Sequence, residues 1–103
     1  MVVEFLSFQG CPHAPILRRR LDEALRALGA TVTPGETDLE QLCRANDPRS
    51  GFGSPTVLVD GVDLFGMESP VSREEAACRI YRPALPSTAD IIRRLRGRVP
   101  ARL

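Results

Sequence analysis

The most constraining feature of the sequence is an apolar run, Val2 to Phe8, followed after a short turn by an amphipathic helical pattern. A near-continuous apolar run is typical of a strand that is buried on both faces of a sheet. The helical pattern extends from Pro15 to Gly29, with an apolar stripe on one side and arginines opposite. Because a short β-branched segment, Ala30–Thr33, comes next, the chain predicts a strand, a crossover helix and a second, parallel strand.

The middle of the chain predicts a short helix and a hairpin. Thr37 and Glu40 have the spacing of a capping box, which indicates a helix through about Ala45. Asp60 and Gly61 then stand between two apolar runs in TVLVDGVDLF, the strongest short-range signal of a β-hairpin.

The last third of the chain is irregular before a final helix. Residues 66 to 86 show no sustained period, although a short helix is expected behind Ser72 and Glu75. The final helix begins near Ser87 or Thr88 and ends at the following glycine. The predicted fold class is α/β: a single domain over residues 1–103 in the order β-α-β-α-β-β-α, with a four-stranded mixed sheet, helices on both faces and the irregular insertion.

Composition excludes several function classes. The formal net charge of 103 residues is only +1, so no global field favours nucleic acid or an anionic membrane surface. No stretch approaches the length of a membrane span, and the N-terminus lacks the basic region of a signal peptide. Three cysteines are unlike a secreted disulfide framework. We therefore expect a cytoplasmic protein with no nucleic-acid partner and no membrane partner, while its oligomeric state is left open.

Cys11, in the stretch FQGCPHAP, lies between the first strand and the first helix. Free backbone N–H groups at a helix start favour a thiolate over a thiol, and we expect this sulfur to be accessible to water. His13, the only histidine, would stabilise the same thiolate; the alternative is a solvent-exposed residue of the first turn. Pro15 disfavours helical geometry at Ala14, so the helix is expected to start at Pro15.

Four stretches together resemble the thioredoxin-like superfamily: the strand VVEFLSF, the turn CPHA, the tripeptide Ser54-Pro55-Thr56 and the hairpin VLVDGVDLF. The resemblance implies a thioredoxin-like fold with Cys11 as nucleophile and a cis Ser54–Pro55 bond beside the thiol. It also implies a substrate groove shaped by Pro12, Ser54, Pro55 and Thr56. The alternative at Pro55 is an ordinary trans proline at the first residue of a strand.

The chain departs from the family's pattern at Ala14, where a C-x-x-C motif has its resolving cysteine. This leaves a monothiol mechanism, in which a low-molecular-weight thiol releases the substrate, or a resolver elsewhere in the chain. Cys78 is the candidate resolver, because the topology returns the irregular segment to the Cys11 end of the sheet. The equal alternative is a small buried hydrophobe on a short helix. Cys43 is expected to be buried in the core.

Three functional hypotheses follow. The first is a thiol–disulfide oxidoreductase with Cys11, His13 and Cys78 as catalytic residues, a protein disulfide or low-molecular-weight thiol as substrate, and no cofactor or resident metal. The second comes from a resemblance of SPTVLVDG and CRIYR to small actinobacterial thioredoxin-like proteins, some labelled alkylmercury lyase; it implies binding of a soft metal by Cys11 and Cys78. The third is a non-catalytic interaction module, which Ala14 and Pro15 favour.

Overall fold

The computed structural model describes residues 1–68 and 70–98, and this part of the chain contains a four-stranded sheet and three α-helices. In chain order the elements are β1 (Val3–Ser7), α1 (Ala14–Ala27), β2 (Gly35–Asp38), α2 (Leu39–Arg44), a 3₁₀ helix (Pro48–Phe52), β3 (Thr56–Val59), β4 (Val62–Asp63) and α3 (Thr88–Arg96). Ser69 and residues 99–103, which belong to the predicted single domain, lie outside the described residues.

The sheet is mixed, with strand order β2-β1-β3-β4. Strand β1 is parallel to β2 and antiparallel to β3, and β3 is antiparallel to β4. The predicted α/β class with a four-stranded mixed sheet is therefore confirmed. Leu6, near the end of β1, is paired with Thr56, the first residue of β3. The end of β1 and the start of β3 consequently meet at one edge of the sheet.

Helices cover both faces of the sheet because the side chains of β1 and β3 alternate between two apolar clusters. Helices α1 and α3 pack over the first cluster, whose strand residues are Val3, Phe5, Val57 and Val59. Helix α2 and the 3₁₀ helix pack over the second cluster, whose strand residues are Leu6 and Leu58.

The predicted hairpin is confirmed. Asp60 and Gly61 connect β3 to β4, and both have positive φ, 52° and 82° respectively. This is the backbone geometry that a two-residue hairpin turn requires, and glycine and aspartate adopt it more readily than most residues. The Asp60 side chain also accepts a 2.7 Å hydrogen bond from the Val2 backbone, which joins the turn to the start of β1.

The second strand is displaced from its predicted position. The prediction placed it at Ala30–Thr33, whereas β2 spans Gly35–Asp38 and pairs with β1 at the sheet edge. Because an edge strand buries little side-chain surface, its sequence GETD carries no apolar pattern. Ala30 and Val32 instead pack partly against the core as connecting chain.

The capping box predicted from Thr37 and Glu40 is wrong. The N-cap of α2 is Asp38, whose side chain accepts a 2.9 Å hydrogen bond from the Glu40 backbone N–H. Thr37 still belongs to β2, and its hydroxyl donates to the Glu4 carboxylate at 2.8 Å. The cap therefore lies one residue further along the chain than the spacing indicated.

Helix α1 begins at Ala14 rather than at Pro15. Pro15 occupies the second helical position, where a backbone N–H would have no partner within the helix, so the missing donor costs little. The first helical hydrogen bond joins the Leu17 N–H to the His13 carbonyl at 3.0 Å. The predicted final helix is confirmed: Ser87 and Asp90 form a reciprocal capping box at the start of α3.

The short helix expected behind Ser72 and Glu75 is absent from the described residues of this segment. Instead, Cys78 forms an isolated parallel bridge with Ser54, just before β3. Two backbone hydrogen bonds of 2.8 Å make the bridge: one from the Ser54 N–H to the Ala77 carbonyl and one from the Arg79 N–H to the Ser54 carbonyl. The irregular segment is thus fastened beside the sheet edge. Within the described residues, no helix combines the length and the apolar character that crossing a membrane requires.

Candidate functional site

The candidate site lies where β1 ends and β3 begins, at one end of the two central strands of the sheet. We call this region the proline edge; it comprises Cys11, His13, Ser54, Pro55 and residues 77–81. The Ser54–Pro55 peptide bond is cis, as the resemblance implied. Cys11 stays close to the end of β1 because its backbone N–H donates a 3.2 Å hydrogen bond to the Phe8 carbonyl. The cysteine and the cis peptide therefore belong to the same edge of the sheet.

The Cys11 side chain points inward, so the expectation of a water-accessible sulfur is wrong. Cys11 is only 4% exposed and belongs to the apolar cluster beneath α1 and α3. A tight turn runs from Phe8 to Cys11 between the strand and the helix, and Gly10 within it has a φ of 94°, which glycine adopts readily. Cys11 nevertheless lines a surface cleft of about 280 Å³, together with Pro15 and Arg18. Glu36 of β2 also lines this cleft, whereas residues 54–56 do not.

His13 is exposed at the start of α1, where it is the N-cap residue but makes no capping hydrogen bond with its side chain. It lines a small cleft of about 180 Å³ with Arg79, Ile80, Tyr81 and Leu85. The Tyr81 hydroxyl in turn donates a 2.7 Å hydrogen bond to the Pro55 carbonyl. Tyr81 therefore shares a cleft with His13 and a hydrogen bond with Pro55.

The residues predicted to shape a substrate groove differ in exposure. Pro12 is exposed, whereas Pro55 is buried and Ser54 and Thr56 have no accessible surface. The Thr56 hydroxyl donates a 2.8 Å hydrogen bond to the Gly53 carbonyl, and the Ser54 hydroxyl has no hydrogen-bond partner among residues 1–68 and 70–98. Residues 54 to 56 are therefore covered by neighbouring residues, and of the four residues predicted to shape a substrate groove only Pro12 is exposed.

The other two cysteines also differ from expectation. Cys78 is exposed and extended in its bridge with Ser54, so the alternative of a buried residue on a short helix is wrong. Cys43 is half-buried rather than buried, and it lines a surface cleft between α2 and residues 74–76. All three cysteines are free thiols, and Cys78 is not bonded to Cys11.

A buried ion pair, which the sequence did not predict, links the proline edge to β4. The Arg79 guanidinium donates two hydrogen bonds, of 2.8 and 2.7 Å, to the two carboxylate oxygens of Asp63. The side chains are 7% and 0% exposed respectively, and Arg79 also donates to the Thr56 hydroxyl at 3.1 Å. Burial alone would lower the pKa of Arg79, but its contacts with Asp63 and Tyr81 outweigh this effect and raise the pKa. Arg79 is therefore permanently charged and tied to β4.

Tyr81 connects this ion pair to the cis peptide. The Arg79 guanidinium carbon lies 4.4 Å from the centre of the Tyr81 ring, a cation–π contact. Burial raises the pKa of Tyr81 to about 12, so its hydroxyl is protonated at neutral pH and can donate to Pro55. The only sequence signal for this arrangement is the stretch CRIYR, and nothing in it identifies Asp63 as the partner of Arg79.

The described residues contain no cluster of three or more histidine, cysteine, aspartate or glutamate side chains that is arranged to hold a metal ion. Comparisons with known protein families, with curated proteins and with solved structures find no match to this chain. The proline edge contains a buried thiol, an exposed imidazole and the cis peptide before β3.

Proposed function

We propose that this chain is a thiol–disulfide exchange protein with a thioredoxin-like fold, acting in the cytoplasm, in which Cys11 is the single reacting thiol. The observation that carries the proposal is the position of Cys11 at the same sheet edge as the cis Ser54–Pro55 peptide. The main-chain groups of Ser54 already pair with Ala77 and Arg79, and the Pro55 carbonyl with Tyr81, so the segment that carries Cys78 occupies the place beside the cis peptide where an extended substrate would pair. Cys11 lines a cleft together with Pro15, Arg18 and Glu36 of β2, and in this proposal the disulfide approaches the sulfur from that side.

The proposed exchange proceeds in two balanced steps. The Cys11 thiolate attacks one sulfur of a mixed disulfide; a new Cys11–sulfur bond forms and the second sulfur leaves as a thiolate. A low-molecular-weight thiol then attacks the Cys11 mixed disulfide, regenerates the Cys11 thiolate and carries away the first sulfur in a new disulfide. Ala14 cannot take part in the second step, so the external thiol performs the role that a neighbouring cysteine has in a dithiol mechanism.

His13 and Cys78 have secondary roles in this proposal. In this proposal the exposed imidazole of His13, two residues after Cys11, supplies a proton to the departing thiolate, although His13 lines the small cleft at Tyr81 and not the cleft at Cys11. Cys78 is exposed beside Ser54 and is the internal alternative to the external thiol. If Cys78 resolves the mixed disulfide, the product is a Cys11–Cys78 disulfide, which an external reductant must then reduce.

The proposal is tested by multiple-turnover reduction of a mixed disulfide between a cysteine peptide and glutathione, with excess glutathione as the second thiol. We expect Cys11→Ser to abolish turnover and Cys43→Ser, a matched change at a half-buried cysteine, to retain it. Retention of turnover in Cys78→Ser identifies the external thiol as the resolver, whereas its loss identifies Cys78. Turnover in Cys11→Ser equal to that of the unaltered protein would overturn the proposal.

A second candidate, a non-catalytic interaction module, is favoured by the burial of Cys11. A residue that is 4% exposed and packed among core side chains is commonly a structural one. This candidate requires that the unaltered protein give no turnover above the uncatalysed reaction. It also requires that Cys11→Ala change the free energy of unfolding without altering the binding of a partner.

A further inference from the structure

A cleft of about 470 Å³, larger than the clefts at Cys11 and His13, lies between α3, the segment after β4 and residues 79–86. It shares Arg79, Ile80 and Tyr81 with the small cleft at His13, but neither Cys11 nor His13 lines it. Its volume falls within the range of sites that hold small molecules. The exchange chemistry proposed for Cys11 gives this cleft no role.

The cleft carries excess positive charge. Four arginines and one acidic residue line it: Arg79, Arg82, Arg93, Arg94 and Asp90. Asp63 neutralises Arg79, and Asp90 pairs with Arg93. Within residues 1–68 and 70–98, neither Arg82 nor Arg94 has a carboxylate partner. Both residues are exposed, so two guanidinium groups face the cleft with their donors available.

One wall of the cleft is a stack of two aromatic rings in contact with each other, with an arginine at each end. The Arg94 guanidinium carbon lies 5.5 Å from the centre of the Phe65 ring, and Phe65 contacts Tyr81 edge to face at 5.9 Å. Tyr81 in turn contacts Arg79, which the buried Asp63 holds in place. Because the stack ends on a buried ion pair, the rings and the Arg94 charge are positioned before any ligand arrives.

We propose that this cleft binds a small organic anion with a phosphate or carboxylate head and an apolar body about the size of one ring. The guanidinium groups of Arg82 and Arg94 match such a head, since arginine recognises both groups through paired N–H donors. Phe65 and Tyr81 provide apolar surface for the body. The site is independent of thiol exchange, so Cys11→Ser is expected to bind the same ligands with unchanged affinity.

The protein provides its own probe for this binding. Tyr81 is the only tyrosine and there is no tryptophan, so intrinsic fluorescence reports on a residue that lines the cleft. Cyclohexyl phosphate and cyclohexanecarboxylate are suitable probes because they do not absorb where tyrosine is excited. Cyclohexanol lacks the charge and inorganic phosphate lacks the apolar body. We expect both cyclohexyl anions to change Tyr81 fluorescence saturably, and both control compounds to bind at least about tenfold more weakly.

Variants assign the binding to the cleft. Arg94→Gln and Arg82→Gln each remove one exposed charge, and we expect each to weaken binding about tenfold, the effect of losing hydrogen bonds to a charged group. Arg44→Gln is the control, because α2 packs on the opposite face of the sheet. Phe65→Leu tests the aromatic wall without changing the charge and is expected to weaken the cyclohexyl ligands only. Circular dichroism confirms that each variant is folded.

Three results would overturn the inference. The first is no saturable change with either cyclohexyl anion at millimolar concentration, by fluorescence and by calorimetry. The second is equal weakening by Arg44→Gln and Arg94→Gln, which would mean general attraction by surface charge. The third is binding of inorganic phosphate as tight as that of cyclohexyl phosphate, which would exclude a site for the apolar body. None of these results bears on exchange at Cys11, so the two proposals fail separately.

Discussion

The Tyr81 hydroxyl donates a 2.7 Å hydrogen bond to the carbonyl oxygen of Pro55. This bond joins two parts of the chain that are 26 residues apart, the cis peptide before β3 and the irregular segment that follows the hairpin. It is also the last of a series of side-chain contacts that connects Asp63 to Arg79, and Arg79 to the Tyr81 ring. The proline edge is therefore held by side chains of the irregular segment as well as by the sheet.

The first prediction concerns the stability of the protein at high pH. The pKa of Tyr81 is raised from its ordinary value of 10.0 to about 12, so the folded state favours the neutral phenol. The stabilisation is complete below pH 10 and is lost as the pH rises towards 12. We expect the free energy of unfolding, measured with urea, to fall by roughly 2 to 3 kcal/mol across this interval because of Tyr81 alone.

Two controls isolate that effect. Tyr81 is the only tyrosine, so absorbance at the tyrosinate band titrates it directly and is expected to give a midpoint near 12. Tyr81→Phe removes the titrating group and is expected to flatten this part of the stability profile. A midpoint near 10 in the folded protein would show that the phenol is exposed to solvent rather than bonded to Pro55.

The second prediction concerns the buried ion pair. Asp63→Asn leaves the charge of Arg79 buried without its partner, and we expect the free energy of unfolding to fall by about 3 to 5 kcal/mol. The double variant Asp63→Leu, Arg79→Met buries apolar groups of similar size instead. It is expected to be less destabilised than Asp63→Asn, because no charge is left unpaired.

Arg49 provides the matched comparison for Arg79. It pairs with Glu4 and Asp47 at 2.6 and 2.8 Å, but its side chain is 39% exposed against 7% for Arg79. We expect Arg49→Met to lower the free energy of unfolding by about 1 kcal/mol or less, since solvent screens exposed pairs. Equal losses in Arg49→Met and Arg79→Met would contradict the assignment of Arg79 as the buried anchor of the proline edge.

The third prediction follows from the exposure of the three thiols. Cys78 is exposed, Cys43 is half-buried and Cys11 is 4% exposed. A bulky neutral maleimide should therefore modify Cys78 first and Cys11 last, and the three rates should become similar in denaturant. Peptide mapping at successive times measures the order. Early labelling of Cys11 in the native protein would show that the turn from Phe8 to Cys11 opens readily in solution.

Strong local patterns predicted much of the fold. The Asp60-Gly61 turn and the start of the final helix near Ser87 have physical signatures in adjacent residues, and both occur where expected. Strand β2 was misplaced because it lies at the sheet edge and needs no apolar residues. The N-cap of α2 was misplaced because Thr37 and Asp38 are both good caps, and the pairing of Thr37 with Glu4 decides between them.

The candidate site was predictable only in part. Proximity of Cys11 to the Ser54–Pro55 peptide follows from strand order, and a sequence pattern can indicate strand order. The burial of Cys11 results from packing against α1 and α3, and no local pattern around position 11 distinguishes a buried cysteine from an exposed one. The pairing of Arg79 with Asp63 joins an irregular segment to a two-residue strand, and no periodicity connects such positions. Long-range polar contacts of this kind become visible only in three dimensions.

Trapping the Cys11 mixed disulfide is the most direct test of the central claim. A protein carrying Cys43→Ser and Cys78→Ser has Cys11 as its only thiol and lacks every internal resolver. After incubation with oxidised glutathione under native conditions, intact mass spectrometry should show one added glutathionyl group, which reduced glutathione then removes. An unmodified mass in the folded protein, together with full modification after unfolding in urea, would show that Cys11 is a packed core residue and would contradict the exchange function.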